Sequence, residues 1–244
     1  MKPAIPAATL LLVRDNAEGR AETLMVKRTS TMAFAANAWV WPGGRIDAAD
    51  TLPDGPPSDT VAGVREMLEE VGLAIGLDPL PDKDLAHRLQ AELLSGSTIS
   101  DLLDRHGLAF VPDALTRFAR WAPELDLKRR FDTWFLLARA PEREEELSLQ
   151  ESEVAEARWI APAALLAEIA AGEAHAIFPT MRTLERLAQA GSTDAIFADA
   201  AAHPPSRIVP WIEEVDGEEM IRIPEGLGYP VTSVPTREAF RGER

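Results

Sequence analysis

Between residues 65 and 73 the chain reads Arg-Glu-Met-Leu-Glu-Glu-Val-Gly-Leu. On a helix, Glu66, Glu69 and Glu70 stand at i, i+3 and i+4, so three carboxylates share one face. Acids packed so closely repel one another unless a cation lies between them. Oxygen-only ligands suit Mg²⁺ and Mn²⁺, and such sites leave positions for waters and substrate phosphates. Val64, Met67, Leu68 and Val71 fill much of the remaining surface and give the helix an apolar side for a core. Arg65 is placed to brace a glutamate by a charge-assisted hydrogen bond. The plain alternative is a solvated acidic face, the usual fate of a helix with several glutamates. Its setting weighs the other way, because the stretch follows a Trp-Pro-Gly-Gly turn at 41–44 and a polar loop at 47–59.

The elements that must position this helix are read from pattern. Ala7 to Val13 and Glu22 to Arg28 are apolar runs joined by a polar turn around Asp15, Asn16 and Gly19, a hairpin signature. Ala38 to Trp41 is a third apolar run, closed by Pro42-Gly43-Gly44. After the Asp-, Pro- and Gly-rich loop, Ser58 or Asp59 is the expected cap of a helix running to about Val71, with Gly72 at its C-terminal end. Leucines from 80 to 108 have helical spacing broken at Ser95-Gly96-Ser97, which predicts two helices. Leu115 to Trp121, Phe131 to Ala140 and Ala155 to Ile160 read as strands, and Pro162 to Ala171 and Thr180 to Ala190 as helices. From Gly191 the chain is punctuated by Pro and Gly, with little periodicity in its last stretch. Strands interleave with helices, hairpins with crossovers, so the expected class is α/β, a mixed sheet sandwiched by helices.

Composition narrows the partners. The 244 residues carry 25 Lys and Arg against 40 Asp and Glu, a formal charge of −15. A surplus of that size disfavours a general nucleic-acid binder, which needs a basic footprint, and docking on an anionic membrane. The absence of cysteine excludes disulfides and thiolate chemistry. No apolar run reaches the roughly 20 residues of a spanning helix, and Ala7 to Val13 is read as a buried strand rather than an export signal. A cytoplasmic protein is the expectation. The histidines at 87, 106, 175 and 203 are scattered without metal-ligand spacing, and the six tryptophans are expected in core or wall.

Gly44, five residues, Asp50, a spacer, and then Arg65 to Leu73 resemble the signature of the Nudix hydrolases. That pattern reads G, five residues, E, seven residues, R-E-U-x-E-E-x-G-U, with U bulky and apolar. Met67 and Leu73 take the two U positions. The first half departs from the pattern, since Asp50 replaces glutamate and residues 51 to 64 form a longer spacer. An expanded box with a D-x-x-D step like Asp47 and Asp50 is similar to that of a subgroup that includes the peroxisomal enzymes cleaving coenzyme A and acyl-CoA. Other echoes of it are Arg130-Phe131-Asp132-Thr133-Trp134-Phe135, Phe178-Pro179-Thr180 and Gly228-Tyr229-Pro230.

The resemblance implies a Nudix-type α/β/α sandwich over residues 1–190, a helical insertion at about 80–108 and a C-terminal extension at 191–244. It implies hydrolysis of a diphosphate linked to a further moiety with Mg²⁺ or Mn²⁺. Carried over by position, Glu66, Glu69 and Glu70 become metal ligands, Arg65 organises them, and Gly43 and Gly44 supply the close backbone turn for metal and phosphate. The general base comes from the box, where Glu66 or Glu69 serves, or from the loop before the last strand. That loop holds Glu151, Glu153 and Glu156, and Glu153 is the candidate, its alternative being one solvated acid among many. Asp47 and Asp50 form a salt bridge or cap a turn. Local positive charge for a polyanion is sought in Lys27, Arg28 and Arg45 and in Lys128, Arg129 and Arg130. CoA or acyl-CoA, giving 3′,5′-ADP and a 4′-phosphopantetheine product, is the first expected substrate. ADP-ribose, nucleoside-diphosphate sugars and dinucleotides are the enzyme alternatives, and a non-catalytic nucleotide-binding module is the alternative outside that class. A homodimer is in keeping with the resemblance.

Overall fold

The computed structural model describes residues 3–32, 34–111, 113–125, 130–142 and 146–240. In chain order the elements are β1 (Ile5–Asp15), β2 (Ala21–Arg28), β3 (Trp39–Val40), β4 (Gly43–Arg45), a 3₁₀ turn (Ala48–Asp50), α1 (Ser58–Val71) and β5 (Leu77–Asp78). Then come α2 (Lys83–Leu94), α3 (Ile99–His106), β6 (Ala109–Phe110), β7 (Thr116–Trp121), β8 (Phe131–Arg139), β9 (Val154–Ile160), α4 (Pro162–Ala171) and α5 (Phe178–Ala188). The chain continues through α6 (Thr193–Ala202), β10 (Arg207–Ile208), β11 (Trp211–Val215), β12 (Glu218–Arg222), β13 (Ser233–Pro235) and α7 (Thr236–Ala239).

The large sheet has the order β10-β7-β8-β1-β2-β3, with β4 added to β1 and β9 to β2. It is mixed: β1 runs parallel to β8 from Ile5 opposite Phe131 to Val13 opposite Arg139, and antiparallel to β2 and β4. β2 holds only the far end of β1, where Val13 faces Thr23, and β4 only the near end, where Thr9 faces Gly43. The sheet therefore forks beside β1, and residues 39–45 bridge the fork, pairing first with β2 and then with β1. Thr9 Oγ1 donates to the carbonyls of Trp41 and Pro42, at 3.1 and 2.9 Å, and pins that bridge in place.

Side chains alternate across a strand, so β1 feeds two cores. Leu10 and Leu12 pack with Leu24, Val26, Met67 and Val71 on the side of α1. Leu11 and Val13 pack with Met25, Trp41, Phe118, Trp121 and Phe135 on the side of α4, α5 and α6, where Leu165, Leu184 and Ile196 close the layer. Helices thus cover both faces of a mixed sheet, the α/β/α arrangement expected. The pair α2 and α3 adds an outer layer: Val61, Val64 and Leu68 on the back of α1 meet Leu89, Leu93, Ile99 and Leu102. With the sheet in front and two helices behind, α1 keeps one strip for polar side chains.

Several sequence expectations need correction. Neither Ser58 nor Asp59 caps α1, whose N-cap is Pro57 without a side-chain bond. Ser58 Oγ is 3.0 Å from Thr51 Oγ1, and the Asp59 carboxylate takes two bonds from Arg117 on β7, at 2.9 and 2.7 Å. The Gly43-Gly44 segment is a strand rather than a turn, because β1 offers it a free edge. The stretch after Gly191 is more regular than its punctuation suggests: α6 packs Ile196 into the core, β10 joins the large sheet beside β7, and β11 to β13 form a three-stranded sheet. Gly72, as expected, ends α1 in the left-handed region at φ 73°. Among the described residues no helix is long and apolar enough to cross a membrane.

Candidate active site

The polar strip of α1 is organised by one side chain. Arg65 Nε donates to Asp50 Oδ1 at 2.8 Å and Nη2 to Asp50 Oδ2 at 3.1 Å. Nη1 reaches Glu66 Oε1 and Glu69 Oε2, both at 2.9 Å, and Nη2 also reaches the Arg45 carbonyl at 2.9 Å. Five such bonds match the five N–H groups that a guanidinium carries. Asp50 is fully buried at 0% exposure and takes a further bond from the Asp47 amide at 2.8 Å. Of the two sequence alternatives for Asp50, salt bridge or turn cap, it does both.

Glu70 stands apart from that clamp. It is 4% exposed, accepts the Gly43 amide, and its Oε2 is buried with no hydrogen-bond partner. A desolvated carboxylate oxygen without a donor is the chemistry of a site for a hard cation. Gly44 packs flat on the Glu66 carboxylate, and a Cβ there would lie 2.3 Å from Glu66 Oε1. The donor set, the orphaned oxygen and the glycine cradle fit Mg²⁺ or Mn²⁺ held by Glu66, Glu69 and Glu70. Among the described residues no three acidic or histidine side chains already converge as a finished cage, and Glu66 and Glu69 each lend one oxygen to Arg65.

The two glycines separate fold from site. Alanine at 44 would push aside only the Glu66 carboxylate, whereas a Cβ at 43 would lie 2.5 Å from the Ala8 carbonyl oxygen. Gly44→Ala is expected to weaken Mg²⁺ binding about ten-fold or more with little change in melting temperature. Gly43→Ala is expected to cost about 1–3 kcal/mol of stability. Calorimetric titration and thermal melts of the two variants check the contrast.

Burial dominates the proton affinities. It pushes Glu66 up to about 7 from the ordinary 4.5, with Glu69 and Glu153 adding and Arg65 opposing. Glu69 is raised by burial against Arg65, and Glu70 is raised well above the ordinary value by burial and by the charge of Glu66. For Arg65 burial alone would lower the pKa, but the Asp50 bond and the charges of Glu66, Asp50 and Glu69 outweigh it and raise it. A carboxyl that binds its proton more tightly when folded stabilises the fold in acid. That contribution is complete below about 4.5 and is lost as pH rises through about 7. Metal-free protein should therefore lose stability between pH 5 and 8, with Glu66 contributing on the order of 3 kcal/mol. Chemical denaturation of wild type and Glu66→Gln across that range should show a shallower slope in the variant.

Glu153 lies on the rim, exposed, in the loop before β9, and its charge is felt by Glu66, Glu69 and Glu70 alike. Arg28, at the end of β2 opposite Val154, faces Glu70, and its Nε is buried without a partner. The Arg45 side chain is exposed beside the clamp that its own carbonyl joins. Arg130 precedes β8, its carbonyl accepting the Ile5 amide at 2.8 Å, four residues before Trp134, which pairs with Ala8 beside Gly44. Lys128 and Arg129 lie outside the described residues. The three sequence echoes build the fold: Asp132 pairs with Arg120 at 2.7 and 2.8 Å, and Phe178 and Tyr229 set their rings edge-on to Trp121. Sequence reading missed Gln90, which is 5% exposed and touches both α1 and the Glu153 loop. Its only signal is a polar residue on the buried stripe Ala86, Leu89, Leu93 of α2.

No family model matches the chain. Over 175 residues it is 29% identical to a curated protein of Caenorhabditis elegans described as "Putative nudix hydrolase 7". That likeness takes in 70% of this chain and 57% of the relative, so the chain spans little more than half of the relative's length. Among solved structures it is similar to a NUDIX hydrolase from Alicyclobacillus acidocaldarius, at 29% identity and a TM-score of 0.71, over 81% of this chain and 97% of that one.

Proposed function

We propose that this chain, a Nudix hydrolase on the support of its curated and solved relatives, cleaves a diphosphate linkage between a nucleoside and a further moiety, with CoA or acyl-CoA as first substrate. The observation that carries the reading is the Arg65 clamp on Asp50, Glu66 and Glu69 beside a buried Glu70 with an oxygen to spare. CoA is favoured by the sequence echoes of the subgroup. In this reading residues 1–190 are the hydrolase domain, with the insertion at 80–108, and 191–244 are an extension packed on it.

Hydrolysis adds water across the P–O–P bridge: the water oxygen bonds one phosphorus, the bridging oxygen leaves with the other, and the water's proton goes to a carboxylate. Glu66, Glu69 and Glu70 would hold Mg²⁺ or Mn²⁺, which when bound would offset phosphate charge and make a water more acidic. Arg65 and Asp50 hold those carboxylates still, and Gly44 leaves room above Glu66. Glu153, exposed in the loop before β9, takes the proton. Arg28, with a buried Nε to spare, meets phosphate charge beside Glu70.

The test is a panel of CoA, acetyl-CoA, ADP-ribose, UDP-glucose and diadenosine polyphosphate under one Mg²⁺ condition. Highest kcat/KM on the CoA compounds is expected. A preference for ADP-ribose, a sugar nucleotide or a dinucleotide would replace the substrate, and binding without product release would make the chain a nucleotide-binding module.

A further inference from the structure

We infer that Gln90 is a positioning residue for this hydrolysis, a clamp from the helical insertion that fixes the Glu153 loop to the end of α1. The inference rests on the proposed diphosphate chemistry with Glu153 as base. The last four carbonyls of a helix have no partner within it. In α1 each finds one outside. Leu68 O accepts the Gly72 amide at 3.0 Å, Glu69 O the Gln90 side chain at 3.0 Å, Glu70 O the Gln150 amide at 3.0 Å and Val71 O the Ser148 amide at 2.9 Å. Two of these donors belong to the segment leading to Glu153. Gln90 Nε2 spends its other proton on the Ser148 carbonyl, at 2.7 Å, so one buried amide ties both sides of the junction.

From there the path to the base is short. The Gln150 carbonyl accepts the amides of Glu153 and Val154, both at 2.9 Å, and the Glu153 carbonyl accepts the Thr29 amide at 2.9 Å. Glu153 is thereby referred to the same helix that carries Glu66, Glu69 and Glu70. The close approach also needs Gly72, since a Cβ there would lie 2.9 Å from Ser148 Cβ. An apolar side chain at 90 would take from the Glu69 and Ser148 carbonyls the donor that Gln90 supplies in a partly buried junction. This gives the insertion a task in the chemistry although α2 brings no group to the substrate.

Gln90→Met keeps length and burial and removes both donors; Gln90→Glu keeps the shape with at most one. Hydrogen exchange on the full, metal-free chain should show the Ser148, Gln150 and Glu153 amides opening about 10-fold faster in Gln90→Met, with β1 unchanged. With CoA, or the panel compound that wild type cleaves fastest, kcat should fall about 10–100-fold and KM stay within about three-fold. Adding Gln90→Met to Glu153→Gln should cost nothing further, because the clamp acts through that residue. Wild-type exchange and kcat in Gln90→Met would overturn the inference. So would an equal loss in the Glu153→Gln background, or full activity of Glu153→Gln itself. A wild type inert toward the whole panel would instead overturn the hydrolase reading, and the exchange rates alone would then decide the clamp. If Gln90→Met melts below the assay temperature, Gln90→Glu carries the same comparison.

Discussion

Glu70→Gln is expected to lower turnover at least about 100-fold while making metal-free protein more stable by on the order of 1 kcal/mol. The opposite signs follow from one environment. Burial and the charge of Glu66 work against ionised Glu70, and only Arg28 and the Gly43 amide favour it. Its Oε2 has no donor at all. Glutamine keeps the shape and removes the charge, so the fold gains what a metal ion would otherwise supply. Added Mg²⁺ should raise the melting temperature of wild type and leave the variant where it was. Thermal melts at pH 8, with chelator and with Mg²⁺, check both halves alongside single-turnover hydrolysis. A variant that is less stable without metal, or still active, would contradict the role given to Glu70.

Arg65→Lys is the second large effect, and it strikes the fold as hard as the site. A guanidinium directs five N–H groups in a plane, and here they reach Asp50 twice, Glu66, Glu69 and the Arg45 carbonyl. An ammonium offers three donors from one point and cannot span that set. The Asp50 carboxylate, with no exposure, would keep only the Asp47 amide. Breaking a buried ion pair from one side costs about 3–5 kcal/mol, a fall of roughly 10 °C in melting temperature. Scanning calorimetry measures it. A loss under 1 kcal/mol would mean that Asp50 finds another partner and that the clamp is dispensable.

Legibility followed the range of the forces involved. Glu66, Glu69 and Glu70 could be placed together because helical spacing is local, and the apolar positions of α1 announced their core in the same way. Asp50 could be named but not assigned, since what selects it is a burial 15 residues upstream of Arg65 that no periodicity encodes. Gly43 and Gly44 read as a turn because glycine has no side chain to show a strand, and the free edge of β1 decided otherwise. Asp59 looked like a cap and was claimed by Arg117, from β7, far along the chain. The α6 sequence Thr-Asp-Ala-Ile-Phe-Ala-Asp-Ala-Ala-Ala has too many alanines for a distinct apolar stripe, so its helix passed unseen. Gln90 was invisible for the same reason that it matters: its two partners lie 21 and 58 residues away.

Those separations also set an order of assembly. A chain made from its N-terminus has Asp50, Glu66 and Glu69 all in hand once α1 is complete, and the Asp50–Arg65 pair closes a span of 15 residues. The carbonyls of Glu70 and Val71 must wait for Gln150 and Ser148, and the Gln90–Ser148 bond closes a span of 58. The longer closure costs about 1 kcal/mol more in chain entropy. Until it forms, the carbonyls of Glu69, Glu70 and Val71 have only water to accept from, so the C-terminal end of α1 is completed later than its first turns.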